Sequence, residues 1–169
     1  MVAVGLGLVL VGCATRPPIT EPGQISGRLS VRVAATADTG ERAANMAFEL
    51  RGNPTAGEID FSTALGTVVA RARWSADRVV LVTSQGERRF DDLDSLSREA
   101  LGEAVPVAAL FDWLRGRAWP GAPSEPDAGG AGFRQLGWQV DLAAYDKGQV
   151  IARRSRPPAV TVRAVIDPS

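Results

Sequence analysis

The sequence predicts a mainly β protein of the α+β kind, a curved antiparallel sheet with a helical insert across its concave side. Three observations predict it. Short segments alternate apolar and polar residues with period two, separated by turn signals every eight to twelve residues. That rhythm gives way once, between residues 94 and 116, to helical spacing, after which strands resume. With 169 residues the chain is long enough to bury one proper core, and a second domain is not expected.

The first strand begins at Ile25, where Ile25, Gly27, Leu29, Val31 and Val33 alternate with Ser26, Arg28, Ser30 and Arg32. This is the pattern of a half-buried antiparallel strand. Polar residues 36–42 turn the chain into a second run, with Met46, Phe48 and Leu50 opposite Asn45 and Glu49, and the two runs predict a hairpin. Asn53-Pro54 breaks that strand. Residues 57–61 form a third, with Ile59 and Phe61 inward, and residues 62–66 connect it to a fourth over 67–74. There Val68, Ala70, Ala72 and Trp74 are expected inside, Arg71 and Arg73 outside. Residues 78–83 and 87–90 predict another hairpin, turned at Ser84-Gln85-Gly86. Six such strands in succession make a meander, curved or closed.

Two helices follow. The first is expected over 94–102 with Asp94 as N-cap, the second over 106–115, with Pro106 suited to a first turn and Gly116 to a stop. Val107, Leu110, Phe111 and Leu114 form a stripe on the second, with Trp113 beside it. Residues 119–132, rich in Pro, Gly and Ala, read as a loop containing Trp119. Strands resume at 133–136, 138–142, 149–152 and 160–166. Alternation places Trp74, Trp113 and Trp138 on inner faces, but it leaves open whether the interior is a filled core or a cup.

Composition narrows the chemistry. The 19 basic and 19 acidic residues balance, so no net field points to nucleic acid. There is no histidine and a single cysteine, Cys13, which removes Ser-His-Asp and Cys-His nucleophile pairs, histidine-containing zinc sites and internal disulfides together. Asp91, Asp92 and Asp94 are the densest acidic cluster. Solvated acids at a helix start account for them better than catalysis does.

The N-terminal residues 1–10 are apolar and lead into Leu10-Val11-Gly12-Cys13. The run is far shorter than the roughly 20 residues of a membrane span and reads as a removed signal over 1–12. The tetrapeptide resembles the lipobox of bacterial lipoproteins, in which the cysteine thiol is acylated and becomes the mature N-terminus. No basic residue precedes Cys13, whereas signal n-regions are positive, so the true start is expected upstream of Met1. Residues 13–23, with Pro17, Pro18 and Pro22, are expected to be the lipidated cysteine and a flexible tether, and residues 24–169 the folded domain.

Over nearly the whole of that domain the chain resembles the outer-membrane lipoprotein LolB family. The matching pieces are Gly27-Arg28-Leu29-Ser30-Val31, Ala64-Leu65-Gly66-Thr67, Trp113-Leu114-Arg115-Gly116 at the end of the second helix, Pro120-Gly121-Ala122-Pro123 and Gly137-Trp138. The resemblance implies an unclosed antiparallel half-barrel capped by helices, whose apolar cavity takes the acyl chains of lipoproteins delivered by a LolA-like periplasmic carrier. It implies a monomer at the inner leaflet of the outer membrane, facing the periplasm and anchored by Cys13, with no enzymatic activity and no cofactor beyond that covalent lipid. It places the family's membrane-insertion leucine at Leu65. Ala14 is compatible with outer-membrane sorting, because the family's retention signal at that position is aspartate. Ala64 stands where a proline is common. Strand alternation and the helix stripe then nominate Val31, Phe48, Phe61, Trp74, Leu110, Trp113 and Leu114 as the acyl-chain cavity. Two other readings share much of this pattern. A soluble carrier of the LolA type would lack the anchor, and an assembly lipoprotein would have a filled core and no lipid cargo.

Overall fold

A computed structural model describes residues 23–168. The signal, the lipidation site Cys13 and most of the tether expected from the sequence lie outside the described residues. Eleven strands form one antiparallel sheet: β1 (Ile25–Val33), β2 (Arg42–Gly52), β3 (Gly57–Ser62), β4 (Val68–Ser75), β5 (Arg78–Thr83), β6 (Gly86–Phe90), β7 (Ser124–Pro126), β8 (Gly132–Gln135), β9 (Trp138–Asp141), β10 (Gln149–Arg154) and β11 (Val160–Ile166). Two helices, α1 (Leu93–Leu101) and α2 (Val107–Trp113), lie between β6 and β7.

The strand order β6-β5-β4-β3-β2-β1-β11-β10-β9-β8-β7 joins two meanders at a β1–β11 seam, where Val31 faces Val162 and Gly27 faces Ile166. The outer strands β6 and β7 do not pair with each other, so the barrel stays open. Eleven strands about 4.8 Å apart would span roughly 50 Å if flat. The chain crosses from one edge to the other through α1 and α2, which is why the insert covers the concave side. Both edges discourage further pairing: β6 carries Glu87, Arg88 and Arg89, and β7 is three residues long and ends in proline.

Inward residues form two connected cores. Under β1, β11, β10, β9 and β8 lie Val33, Trp113, Phe133, Trp138, Val140 and Val160. Under β2 to β5 lie Phe48, Leu50, Trp74, Val79, Phe111 and Leu114. The convex face is polar, with one buried carboxylate, Asp60 (6% exposed). It sits under Arg71, which grips it with Nε and, at 2.7 Å, Nη2, while Arg73 Nε donates to Glu58 at 2.5 Å. Pairing with a bidentate guanidinium offsets the cost of covering that charge.

Several predicted boundaries and faces are corrected. The N-cap of α1 is Asp92, not Asp94: its side chain accepts from the Ser95 N–H at 2.6 Å, and that bond holds its carboxyl below the usual aspartate range. At the other end Gly102 takes φ +81°, so its N–H can turn back to the Arg98 carbonyl at 2.8 Å. The expected loop 119–132 contains β7, whose three residues pair with β8. The pairing of β3 with β4 shifts between Phe61 and Ser62: Phe61 faces Ala70 but Ser62 faces Val68. This bulge inserts Val69 as an extra residue, and a one-residue slip moves Val68 off the inner face predicted for it.

Candidate functional site: an apolar cavity under the first helix

The concave space is not filled throughout. Between β1 to β5 on one side and α1 with the start of α2 on the other lies a cavity of about 320 Å³, within the range of roughly 300–1,000 Å³ usual for small-ligand sites. Its floor includes Leu29, Val31, Met46, Ile59, Phe61 and Ala72 from the strands. Its roof includes Leu93, Leu96 and Leu101 from α1, then Val107 and Leu110 from α2. No charged side chain lines it, and Thr83 and Ser97 bring the only side-chain hydroxyls.

The Ser97 hydroxyl is occupied structurally. It accepts from the Val105 N–H at 3.0 Å and lies 3.0 Å from the Asp94 carbonyl, tying α1 to the turn before α2. Thus the cavity presents almost no polar group to an occupant. It suits methylene and methyl groups and offers nothing to orient a polar substrate or ionise a nucleophile. Asp91, Asp92 and Asp94 do not line it. Among the described residues no group of His, Cys, Asp and Glu side chains has the arrangement of a metal site.

Of the seven residues nominated from the sequence, Val31, Phe61 and Leu110 line this cavity. Phe48, Trp74, Trp113 and Leu114 are placed instead in the closed core, each at most 5% exposed. The reason is α2, which sinks into the sheet: Ala109, Phe111 and Trp113 are essentially inaccessible, so more than one face of a short helix is covered. Trp74 meets Phe111 edge to face at 5.5 Å, and Trp113 meets Phe133 and Trp138 at 6.4 and 6.1 Å. Those rings fill the space that would otherwise be cavity.

Two polar anchors hold the insert, and neither was singled out from the sequence. Gln135, 3% exposed, accepts from Trp113 Nε1 (2.8 Å) and the Trp119 N–H (2.9 Å), and donates to the carbonyls of Trp119 (2.6 Å) and Ala122 (2.8 Å). All four capacities of its amide are used, which fixes α2 and the following loop to β8. Arg154, 8% exposed at the inner end of β10, donates to Glu103 at 2.7 Å and to the Pro158 carbonyl at 3.1 Å, with its guanidinium over the Trp138 ring. A polar residue on the inward phase of a strand was the available signal in both cases. Gln135 shares that phase with Phe133, and Arg154 shares it with Val150 and Ala152.

Leu65 occupies the tip of the β3–β4 connection and is 95% exposed. The turn is held by the Gly66 N–H to the Thr63 carbonyl (2.9 Å) and the Thr63 N–H to the Thr67 carbonyl (2.9 Å). Gly66 adopts φ +82°, a left-handed conformation that leaves Leu65 at the outside of the bend. The closed turn presents the leucine without a preceding proline.

Fold and cavity define a class: an open half-barrel whose helices roof an apolar container, with no catalytic constellation among the described residues. Comparison with known proteins then narrows it. The sequence model of the family described as outer membrane lipoprotein LolB matches residues 23–165. Outer-membrane lipoprotein LolB of Bordetella petrii is 34% identical over 168 residues, covering 92% of this chain and 84% of that protein. Those of Chromobacterium violaceum and Bordetella pertussis are each also 34% identical, over 81% and 94% of this chain and 78% and 86% of theirs. The chain belongs to the outer-membrane lipoprotein LolB family, and so among lipoprotein localisation factors rather than enzymes.

Proposed function

We propose that this chain is a lipid-anchored receptor that accepts lipoproteins from a LolA-like periplasmic carrier and inserts them into the inner leaflet of the outer membrane. The observation that carries the reading is the uncharged cavity roofed by α1. Cys13 carries the anchor, and the acyl chains of the incoming lipoprotein lie against Val31, Phe61 and Leu110. No cofactor or nucleotide takes part.

The energetics suit such a step. Exposing an acyl chain of about 16 carbons to water costs on the order of 13 kcal/mol, at about 0.8 kcal/mol per methylene. Passing it between two apolar cavities avoids that barrier and is nearly neutral in hydrophobic energy. Direction then comes from a small difference in affinity and finally from the bilayer. Leu65 contributes a few tenths of a kcal/mol to membrane partition, enough to open a path for lipid but not to hold the protein there.

The test mixes the receptor with lipoprotein-loaded carrier in the absence of nucleotide and detergent, then weighs the products by mass spectrometry. Stoichiometric transfer of an acylated cargo is expected. Leu65→Glu should leave that uptake intact and impair release to liposomes. A folded receptor that takes no cargo overturns the reading in favour of an assembly lipoprotein, and undiminished release by the Leu65 variant removes that residue from the mechanism.

A further inference from the structure

Five large apolar residues stand exposed among the described residues, and three of them, Leu65, Val68 and Val69, fall within five positions at one end of the sheet. The bulge in β4 creates this concentration. Continued alternation would have turned Val68 inward, but the extra residue puts it opposite Ser62 on the convex side, 49% exposed. Val69, 46% exposed, also lines the apolar cavity. The two valines therefore straddle the wall, one facing out and one at the cavity's lip, with the Leu65 tip directly before them.

The convex surface beside them carries positive charge. Val68 lies opposite Ser62, Ser62 opposite Ala47, Ala47 opposite Arg28 and Arg28 opposite Val165, so these residues share one row on the outer face. Arg28 is thus about 15 Å from Val68, three strand spacings away. Arg163 lies two residues along β11 from Val165, and Arg28, Arg163 and Ala64 of the tip turn line one shallow groove. Among the described residues neither arginine has a carboxylate within 4.0 Å, whereas Arg51, Arg71 and Arg73 on the same face are all ion-paired.

We propose that the membrane-contacting surface extends from Leu65 onto Val68, and that Arg28 and Arg163 beside it engage the phosphates of anionic phospholipids. This rests on the receptor reading and deepens it. An apolar strip flanked by guanidinium groups that have no carboxylate partner, Arg163 donating to the Gln149 amide oxygen instead, matches the layering of a bilayer surface, acyl boundary beside phosphate. Val69 makes that strip continuous with the cavity, so cargo released over it meets lipid rather than water.

The experiment uses the mature chain, residues 13–169 carrying Cys13→Ser, so that neither the apolar signal nor an acyl anchor contributes, and measures co-sedimentation with phosphatidylethanolamine vesicles with and without phosphatidylglycerol. The parent should bind, more tightly with phosphatidylglycerol, and that preference should fade with salt. Val68→Ser should weaken binding to both vesicles. Arg28→Gln with Arg163→Gln should remove only the anionic preference, by about fivefold for each arginine, and the Lys pair at the same positions should restore most of it. All these side chains point outward, and circular dichroism checks that the fold is kept. A parent that ignores the vesicles, a Val68 variant that binds like the parent, or an anionic preference that survives the double Gln variant would each overturn the proposal. Cargo uptake from the carrier is measured in parallel. Vesicle binding as expected with no uptake would overturn the receptor reading while leaving the membrane surface supported.

Discussion

The two helices of the insert are neighbours in sequence and opposites in environment. In α2, four of seven residues are buried, Trp113 locks into Gln135, and the rings of Phe111 and Trp113 complete two aromatic clusters. In α1 only Leu96 and Ser97 are buried, and its remaining apolar side chains, Leu93, Ala100 and Leu101, border open space. One helix is a wedge in the core and the other a roof. The contrast teaches how a single insert serves both ends: α2 supplies the packing that holds the connection in place, which lets α1 stand over a cavity it does not fill. More of the side chains of α2 than of α1 are buried, and α1 is the helix that borders open volume along its length.

Replacing the wedge should have the largest effect. Trp113→Ala removes a fully buried indole and leaves Gln135 short of a partner, so denaturant unfolding should show a loss of about 3–5 kcal/mol. A loss below about 1 kcal/mol would place α2 with α1 and erase the distinction. Filling the roofed space should do the reverse. Ala70, on the cavity floor and only partly buried, can take a larger side chain into open volume. Ala70→Phe should change stability by about 1 kcal/mol or less yet abolish binding of a fluorescent fatty acid; retained binding would show that occupants lie elsewhere.

The smallest effect concerns the start of the roof. Because Asp92 titrates below its unfolded value, its contribution is present above the ordinary aspartate pKa of about 4 and is lost as the pH falls through its folded pKa. Asn caps as well as Asp, so Asp92→Asn should match the parent at neutral pH and lose less stability than the parent on acidification, as followed by thermal unfolding. Equal acid sensitivity of the two would show that the cap carboxylate is not part of the pH response.

Much of this architecture was legible in period and punctuation. The faces of β1 and β2 follow from simple alternation, the β5–β6 hairpin from the turn signal Ser84-Gln85-Gly86, and the β3–β4 connection from residues 62–66, in which only the family resemblance singled out Leu65. The cavity was legible only in outline. Alternation says that Phe61 and Trp74 both point inward, but not that one borders empty space while the other packs on Phe111. Gln135 and Arg154 were missed for a related reason: an inward polar residue acquires meaning only when its partners, 22 residues away for Trp113 and 51 for Glu103, are brought to it.

A chain with this pattern had to make an open or closed antiparallel sheet with a helical crossing, because periodicity is local and each strand or turn is specified within a few residues. How deeply α2 sinks, how much volume α1 leaves uncovered and which way a bulge turns Val68 depend on distances between elements far apart in the chain. Those distances are set by the competition of many side chains for one interior. That competition, settled only when the sheet curls and the insert docks, leaves a wedge at one end and a container beside it.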